Sequence, residues 1–229
     1  MTLLSHAKNR VVPRGAQECE VRFGPLRGVR LNLDLSRQSQ IWLGLYERET
    51  YQWLERFSRG IHTGIDIGAN EGLYTSFFLV KTSAQRVWSF DGDPTCQSII
   101  AGNLALNGVY NPGRWTFVGK CVGSDRDANT CALDSIREAL ELPCLVKMDV
   151  DGAELDVLRS GPEVLRSTGV RWLIETHSPD LESACLRLLT EFGYQTKVVP
   201  NAWWRRFIPE TRTAHNRWLV AYRDLRDIC

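Results

Sequence analysis

Three ionisable residues recur at every second position of an apolar run in the second half of the chain. Lys147, Asp149 and Asp151 alternate there with valine and methionine, a pattern that predicts a strand with its charges on one face. Glu175 and His177 share a face near the end of the next predicted strand. Because consecutive β-α-β strands are often neighbours, we expect the three acids and the histidine to converge at one sheet edge.

Such a cluster has two chemical interpretations. Carboxylates repel one another unless Lys147, another cation or a proton offsets their charge. Three oxygen ligands from the acids and one nitrogen from His177 would suit a magnesium-like or other divalent ion. The same imidazole could instead accept a proton from a substrate hydroxyl. The residues by themselves leave both interpretations open.

A glycine-bounded corner lies earlier in the chain, in the stretch GIDIGANEG from Gly64 to Gly72. The pattern predicts a strand, a tight turn and then a helix over Leu73 to Lys81. Glycines at 68 and 72 allow close backbone approach, and Asn70 is a good candidate for the helix N-cap. The N-terminus of that helix would offer unpaired N–H groups to an anionic ligand.

Two nucleotide ligands compete for this corner. Dinucleotide folds use G-x-G-x-x-G, whose middle glycine admits a pyrophosphate, whereas Asn70 stands at that position here. S-adenosylmethionine has no pyrophosphate, and its amino-acid end needs an acidic residue such as Asp66 near its ammonium. The spacing therefore favours S-adenosylmethionine over a dinucleotide, with an ordinary βα turn as the alternative.

An acidic turn follows the second predicted strand of the main domain. Asp91 lies about 20 residues after the glycine corner, where an acid at a strand end would hold a ribose diol. We expect Asp93, just before Pro94, to serve the turn instead. The third predicted strand ends at Cys121, Val122, Gly123 and Ser124, which we expect to line an adenine pocket.

The remaining elements must position these residues. The predicted elements are a loose arm over residues 1 to 18, a hairpin over Glu20 to Leu35 and a helix over Ile41 to Phe57 with Glu47–Glu49 on a solvated face. We expect residues 1–58 to be an extension packed on a main domain over residues 59–229.

A long connection between the last two predicted strands is rich in aromatic and basic residues. Long loops inside compact domains usually bind ligands or close over them, and aromatic rings with arginines suit a sugar, a polar ring or an anion. The residues concerned are Trp203, Trp204, Arg205, Arg206, Phe207, Arg212 and His215.

Composition narrows the class of protein. The 229 residues are 43% hydrophobic and 24% charged, with a net charge of +1, which argues against a strong non-specific surface for nucleic acid or membrane. There is neither an apolar run of about 18 residues nor a signal-peptide h-region, so we expect a cytoplasmic protein. The seven scattered cysteines lack C-x-x-C spacing, and we expect them to be reduced.

Read together, these stretches resemble the FkbM-type family of S-adenosylmethionine-dependent methyltransferases. The similarity rests on IDIGANEGLYT, SFDGDP, NLALNG, LDSI, LVKMDVDGAELDVLRSG and WLIETH, which occur in the family's order over roughly residues 60 to 180. The family usually has glutamate where this chain has Asp91 and Asp151. The charge is kept, but each side chain is one methylene shorter.

The resemblance implies a fold and an activity. The fold would be α/β, a Rossmann-like seven-stranded class I methyltransferase sheet whose last strand runs antiparallel, with the hairpin and helix as an N-terminal extension. The activity would be methyl transfer, typically to a hydroxyl of a sugar or natural product. The cofactor would be S-adenosyl-L-methionine, and a divalent metal is permitted by the acidic cluster but not claimed.

The resemblance also implies roles for residues. The methionine portion would be held by Asp66, Gly68, Ala69, Asn70 and Gly72. Asp91 would hold the ribose, and Gly123 and Ser124 the adenine end. Asp149, Asp151, Glu175, His177 and Lys147 would face the substrate, with Asp149 also against the cofactor. His177 is our first candidate for the general base, followed by Asp149 or Asp151.

Two other functions stay open at this point. The arginine and tryptophan loop suggests methylation of a nucleotide or an RNA end, although the near-neutral charge makes nucleic acid a poor expectation. A homologue that binds the cofactor without turnover is the other alternative. We expect a small hydroxylated molecule as the substrate and no membrane partner, and the sequence leaves homo-oligomer formation open.

Overall fold

A seven-stranded sheet organises the computed structural model, which describes residues 15–124, 127–202 and 216–223. Its order is β10-β11-β9-β8-β3-β4-β5, and β11 runs antiparallel to both neighbours while the other pairs are parallel. This confirms the expected topology. The strands are β3 (Thr63–Ile67), β4 (Arg86–Phe90), β5 (Trp115–Val118), β8 (Cys144–Met148), β9 (Val170–Thr176), β10 (Gln195–Val199) and β11 (Arg217–Tyr222).

The described residues also form four strands outside this sheet and several helices. The four strands form two small pairs, β1 (Ala16–Glu20) with β2 (Arg30–Asp34) and β6 (Cys121–Val122) with β7 (Thr130–Cys131). The helices are α1 (Leu35–Trp42), α2 (Tyr51–Phe57), α3 (Leu73–Lys81), α4 (Cys96–Leu106), α5 (Glu154–Arg159), α6 (Pro162–Arg166) and α7 (Pro179–Glu191), with 3-10 turns at Arg48–Thr50 and Leu133–Ala139.

The centre of the sheet is buried on both faces. Every residue of β3, β8 and β9 is buried, as expected for parallel strands covered by helices on two sides. The chain order reverses at β3, which pairs with β4 on one side and with β8 on the other. Ligands of open α/β sheets bind beyond the carboxyl ends of the strands at such a reversal.

The predicted hairpin exists, but its first strand lies earlier than expected. We placed it from Glu20 onward and treated the residues before about 18 as a loose arm, whereas β1 occupies Ala16–Glu20. Cys19 pairs with Leu31 in the antiparallel register, and both are buried. The first strand of the hairpin therefore begins about four residues before the segment from which we predicted it.

The single helix predicted over Ile41 to Phe57 is wrong. The chain instead forms α1, a 3-10 turn and α2, because Gly44 and Glu47 adopt left-handed backbone angles of φ 61° and 53°. A Cβ atom at Gly44 would lie 2.0 Å from the carbonyl oxygen of Phe23, so a regular helix with a side chain there does not fit. The aromatic residues keep helical spacing on both sides of this break, so the spacing alone could not reveal it.

The extension packs on the sheet through aromatic rings. Trp53 stacks on Tyr222 of β11 at a centroid distance of 6.1 Å, and Phe57 meets the same ring edge-on at 5.7 Å. Leu31 and Leu54 belong to one buried cluster with these rings. The extension and the last strand therefore share a core.

The cysteines and the helix lengths can also be compared with the sequence expectations. The described cysteines, at positions 19, 96, 121, 131, 144 and 185, are all unpaired thiols, as expected. Among the described residues, every helix falls short of the length and apolar character that a bilayer crossing requires.

Candidate active site

A cavity of about 570 Å³ opens at the carboxyl ends of β3, β4 and β8. Small-molecule sites usually measure roughly 300–1,000 Å³, so a nucleoside-sized ligand fits here. The polar side chains that line it belong to Asn70, Asp91, Asp93, Lys120, Asp149 and Asp151. Most of these residues were singled out from the sequence, and the cavity lies at the strand reversal where a ligand was expected.

Gly68 is the residue that lets the ends of β3 and β8 approach each other. Its backbone is left-handed at φ 72°, and an added Cβ atom would lie 1.9 Å from the carbonyl oxygen of Asp149. The N–H groups of Gly68 and Ala69 both donate to the carbonyl of Phe90, at 2.9 and 3.0 Å. These bonds tie the turn to the end of β4, so that three strand ends surround the cavity.

Asn70 does not cap the helix that follows it, so that prediction is wrong. The N-cap position of α3 is Gly72, at φ 77°, and it has no side-chain hydrogen bond. Asn70 itself is left-handed at φ 47°, and its backbone N–H donates to Oδ2 of Asp91 over 2.8 Å. The turn therefore directs the Asn70 amide at the second acidic corner instead of closing its own helix.

Asp91 is held in place by main-chain donors. Its Oδ2 accepts from the N–H of Asn70 and its Oδ1 accepts from the N–H of Asp93 at 2.9 Å. Each oxygen has a remaining lone pair, and the residue lines the cavity. A fixed carboxylate with free acceptor capacity is what a bidentate bond to a ribose diol requires.

Asp93 serves the turn that starts α4. Its Oδ1 accepts from the N–H and the hydroxyl of Thr95, at 2.8 and 2.7 Å, and these bonds lower the pKa of its carboxyl. This is the turn role expected for Asp93. The thiol of Cys96 lies beside the same acids, and burial with the Asp91 charge raises its pKa to about 11.

Asp66 is fully buried and lies outside the cavity lining. One oxygen accepts from the N–H and the hydroxyl of Thr75, at 2.9 and 2.8 Å. Its other oxygen lies 3.3 Å from Nζ of Lys147, which also donates to the carbonyl of Gly68 over 2.9 Å. Lys147 thus occupies the carboxylate that we expected to meet the cofactor ammonium, and it engages the Gly68 carbonyl as well.

Glu47 was expected on a solvated face, and this expectation is wrong. It is only 2% exposed, and its Oε2 accepts a hydrogen bond from the hydroxyl of Tyr74. Nζ of Lys147 lies 5.1 Å from the centroid of the Tyr74 ring. Burial opposes a charge on Lys147, but Asp66, Asp149 and Glu47 together raise its pKa. The extension therefore contributes a buried acid to the network beneath the glycine corner.

The predicted adenine-pocket residues divide into two groups. Cys121 and Val122 line the main cavity. Gly123 and Ser124 instead line a separate hollow of about 430 Å³, where the Ser124 N–H donates to Oδ2 of Asp156 over 2.9 Å. The Ser124 hydroxyl bonds the same carboxylate, so this segment supports the end of β6 without lining the cavity.

His177 and three acids converge at the rim of the cavity. Nε2 of His177 lies 3.1 Å from Oδ1 of Asp151 and 3.6 Å from Oδ1 of Asp149. Its Nδ1 contacts Oε1 of Glu154, a buried residue at the start of α5. The hydrogen bond with Glu154 raises the pKa of His177 against the effect of burial, and the Asp149 and Glu175 charges raise it further. The predicted convergence thus involves one acid more than expected.

Glu175 lies on β9, almost fully buried beside the same rim. One ligand atom each from Asp149, Glu175 and His177 fall within 4.8 Å of one another. This spacing is compatible with a divalent ion, as the sequence suggested. It is equally compatible with a shared proton, since His177 already has carboxylates at both nitrogens.

Sequence reasoning missed Glu154 and Glu47. Glu154 follows Asp151 by three residues and begins a helix, where an acidic residue is ordinarily exposed and interacts with the helix dipole. Glu47 lies in a charged triplet of the kind that usually faces solvent. The aromatic and basic residues predicted to form a binding loop, 203–207, 212 and 215, lie outside the described residues.

Comparison with known proteins gives a structural likeness only. No family model and no curated protein matches the chain. Among solved structures, an FkbM methyltransferase from Methylobacillus flagellatus KT aligns with a TM-score of 0.58 and 19% identity over 72% of this chain and 44% of that one. The chain therefore spans less than half of that structure's length.

Two other structures share the same architecture. A precorrin-6y C5,15-methyltransferase from Geobacter metallireducens GS-15 aligns at a TM-score of 0.51 and 13% identity, covering 78% of this chain and 88% of that one. Trm5b from Pyrococcus abyssi aligns at 0.51 and 14%, covering 91% and 55%. The fold is that of a class I methyltransferase. At these identities the likeness establishes the fold, and the site residues must carry any argument about the reaction.

Proposed function

We propose that the chain is an S-adenosylmethionine-dependent methyltransferase of the FkbM type, acting on a hydroxyl of a sugar or natural-product small molecule. The observation that carries the proposal is the cavity at the strand reversal. It presents the backbone-held carboxylate of Asp91 on one side and the cluster of His177, Asp149 and Asp151 at its rim. The fold and the motif order support the same conclusion.

The cofactor would be held by residues that differ in part from the sequence prediction. Asp91 accepts hydrogen bonds from the ribose hydroxyls. The turn at Gly68, Ala69 and Asn70 allows the backbone to lie close to the cofactor. Because Lys147 already engages Asp66 and the Gly68 carbonyl, we assign the cofactor ammonium to Asp149, whose side chain is about a quarter exposed in the cavity. Asp66 then acts by fixing Lys147 and the start of α3.

Gly72, Gly123 and Ser124 support the site from outside the cavity lining. A Cβ atom at Gly72 would lie 2.7 Å from the Ile100 side chain, so glycine there permits α3 and α4 to pack closely behind Asn70. Gly123 and Ser124 anchor the segment that follows Cys121 and Val122. We therefore propose that these three residues shape the cofactor cavity without contacting its occupant.

The bound cofactor supplies a methyl group on a positively charged sulfur, which is already activated for transfer. The protein must then align the acceptor, exclude water and take up the hydroxyl proton. Nε2 of His177 is the proposed proton acceptor, and Asp149 and Asp151 lie close enough to orient the acceptor hydroxyl. Lys147 offsets the negative charge of Asp66 and Asp149, and Glu175 adds to the negative field at the imidazole.

The charge of the rim favours a neutral, polyhydroxylated acceptor. Asp149, Asp151, Glu154 and Glu175 lie around His177, and Asp91 and Asp93 also line the cavity, where Lys120 is the basic residue of the lining. Within the described residues, this acidic environment would repel phosphate groups, whereas carboxylates are good acceptors for sugar hydroxyls. We therefore rank a small hydroxylated molecule above a nucleotide or an RNA end.

The test has two parts that separate the alternatives. Calorimetry with S-adenosylhomocysteine measures cofactor binding, and transfer of a labelled methyl group is then measured on a panel of sugars, hydroxylated natural products and RNA. Binding followed by methylation of a neutral hydroxylated acceptor supports the proposal. Methylation of RNA alone, with a steep loss of binding in salt, would support the nucleic-acid alternative. Binding without turnover on any acceptor would favour the non-catalytic alternative.

A further inference from the structure

Glu154 is a buried acid whose environment is not that of an ordinary helix start. It is 0% exposed, although it is the first residue of α5. Its Oε1 contacts Nδ1 of His177 and accepts from the N–H of Gly152 at 3.1 Å. Its Oε2 is buried with no hydrogen-bond partner among the described residues. Burial of an acid with one unsatisfied oxygen is costly, so His177 must offset much of that cost.

The contact with Glu154 determines which imidazole nitrogen faces the cavity. Nδ1 is taken up by Glu154, and Nε2 points to Asp149 and Asp151, both of which line the cavity. An imidazole can accept a proton at only one nitrogen when the other carries hydrogen. An N–H at Nδ1 donating to Glu154 would leave the lone pair of Nε2 for an acceptor hydroxyl, which would displace the Asp151 carboxylate that lies 3.1 Å away on a side chain 99% exposed.

We propose that Glu154 is a positioning residue that orients His177, keeps its proton on Nδ1 and stabilises the imidazolium formed during the reaction. The proposal rests on the function proposed above. As the acceptor oxygen bonds to the methyl carbon, the carbon–sulfur bond breaks and its electron pair remains on sulfur. The hydroxyl proton passes to Nε2, and the new positive charge lies against the Glu154 carboxylate.

The protonation equilibrium of the His177 ring depends on the titratable groups around it. The loop after β8 supplies Asp149 and Asp151, α5 supplies Glu154 and β9 supplies Glu175. The Cys185 thiol on α7 stays neutral, since burial and the Glu154 charge raise its pKa to about 12. Within the part of the chain that the structure describes, these four acids face His177, and Glu154 is distinguished from the others by its contact with Nδ1.

The kinetic test compares Glu154→Gln with Glu182→Gln. Glu182 is a matched control because it is also a buried glutamate in the first turn of a helix, but it pairs with Arg217 at 2.6 Å. We expect Glu154→Gln to lower kcat at least about tenfold while S-adenosylhomocysteine affinity stays within about twofold. The acidic limb of the pH profile should move to lower pH, because the His177 pKa falls when the adjacent charge is removed. Glu182→Gln should alter neither kcat nor the profile.

Two further variants separate positioning from a general structural role. Glu154→Asp keeps the charge and should regain part of the lost kcat relative to Glu154→Gln. In a His177→Gln background, Glu154→Gln should have no additional effect on kcat, since the group that it positions is gone. Equal losses in both backgrounds, or an unshifted pH profile, would overturn the proposal.

A spectroscopic measurement tests the orientation without turnover. In the wild-type protein, the ring ¹⁵N signals of neutral His177 should show hydrogen on Nδ1, and Glu154→Gln should reduce that tautomer. An unchanged ring spectrum would overturn the proposal. If the wild-type protein methylates no acceptor, the proposed function fails, and the ring spectrum still decides whether Glu154 orients His177. A changed spectrum with unchanged kcat would overturn the role of Glu154 in the reaction.

Discussion

Asp91 owes its position to main-chain N–H groups, which makes its side chain removable without loss of the fold. The donors come from Asn70 and Asp93, and the residue lies at the cavity surface, where water can replace the carboxylate. Its lone pairs are then available to a ligand and contribute little to the core. Asp91 differs in this respect from Asp66, whose carboxylate is already bonded to Thr75 and Lys147 inside the protein.

The first prediction concerns cofactor affinity. Asp91→Ala should weaken S-adenosylhomocysteine binding by roughly 10–100-fold, because two charge-assisted hydrogen bonds to the ribose are lost. Calorimetry measures the affinity, and circular dichroism should show a retained fold. Asp180→Ala, which removes an exposed acid from the first turn of α7, serves as the control and should bind normally. Equal affinity for both variants would disprove the ribose assignment.

Lys147 and Asp66 form a buried ion pair, and we expect a substitution there to change the stability of the protein. Lys147→Met should lower the free energy of unfolding by about 3–5 kcal/mol, because it leaves the buried Asp66 carboxyl without its counter-ion. Lys81→Met is the control, since Lys81 is exposed and donates to the Arg27 carbonyl at the surface. Urea denaturation at neutral pH measures both. If both variants lost the same free energy of unfolding, the Lys147–Asp66 pair would contribute no more to stability than an exposed lysine does.

At the scale of elements, the break between α1 and α2 brings Glu47 to the site. A continuous helix over this segment would follow the aromatic spacing, but it would not place Glu47 in its left-handed turn against Tyr74. Gly44 permits the break because its Cα packs directly on the carbonyl of Phe23. The position of one glycine therefore decides whether Glu47 faces water or the network under the glycine corner.

The corresponding prediction compares two glycines. Gly44→Ala should destabilise the protein by more than the roughly 1–2 kcal/mol that left-handed backbone costs a residue with a side chain, because its Cβ would clash with the Phe23 carbonyl. Gly28→Ala is the matched control, with φ +86° and open space around the added atom. Urea midpoints and slopes give the two free energies. A larger loss at Gly28 would contradict the packing argument.

At the scale of the whole molecule, the extension and the sheet should unfold together. Leu54 of α2, Phe57 and Tyr222 of β11 lie in one buried cluster, so the extension has no separate core among the described residues. Shared burial of this kind couples segments that are distant in the chain. The sequence boundary near residue 58 would then separate two parts of one cooperative unit.

This leads to a prediction about cooperativity. Leu54→Ala should lower the free energy of unfolding by about 2–5 kcal/mol, the range for a truncated core leucine, and should leave a single transition. Within each protein, tryptophan fluorescence and far-ultraviolet circular dichroism should report one common urea midpoint, and that midpoint should be lower in the variant than in the wild type. Two separated transitions would show that the extension unfolds independently of the sheet.

Local sequence patterns were sufficient to predict much of this protein. The alternation of Lys147, Asp149 and Asp151 predicted a charged strand end, and the glycine spacing around Gly68 predicted a tight turn at a ligand site. The seven-stranded topology was implied by the resemblance to the FkbM-type family, and the structure has it. The charged strand end and the tight turn are predictable because strand periodicity and glycine conformations depend on neighbouring residues, and the rule that parallel strands share an edge then places their ends together.

Tertiary structure alone decided the partners of the buried charges. Whether Asp66 meets a ligand or Lys147, whether Glu47 faces water or Tyr74, and whether Glu154 reaches His177 each depend on a residue at least 20 positions away. A charged side chain looks the same in a local pattern whether it is solvated or paired. The free energy that buries it comes from the distant partner, and only the folded chain brings that partner within reach.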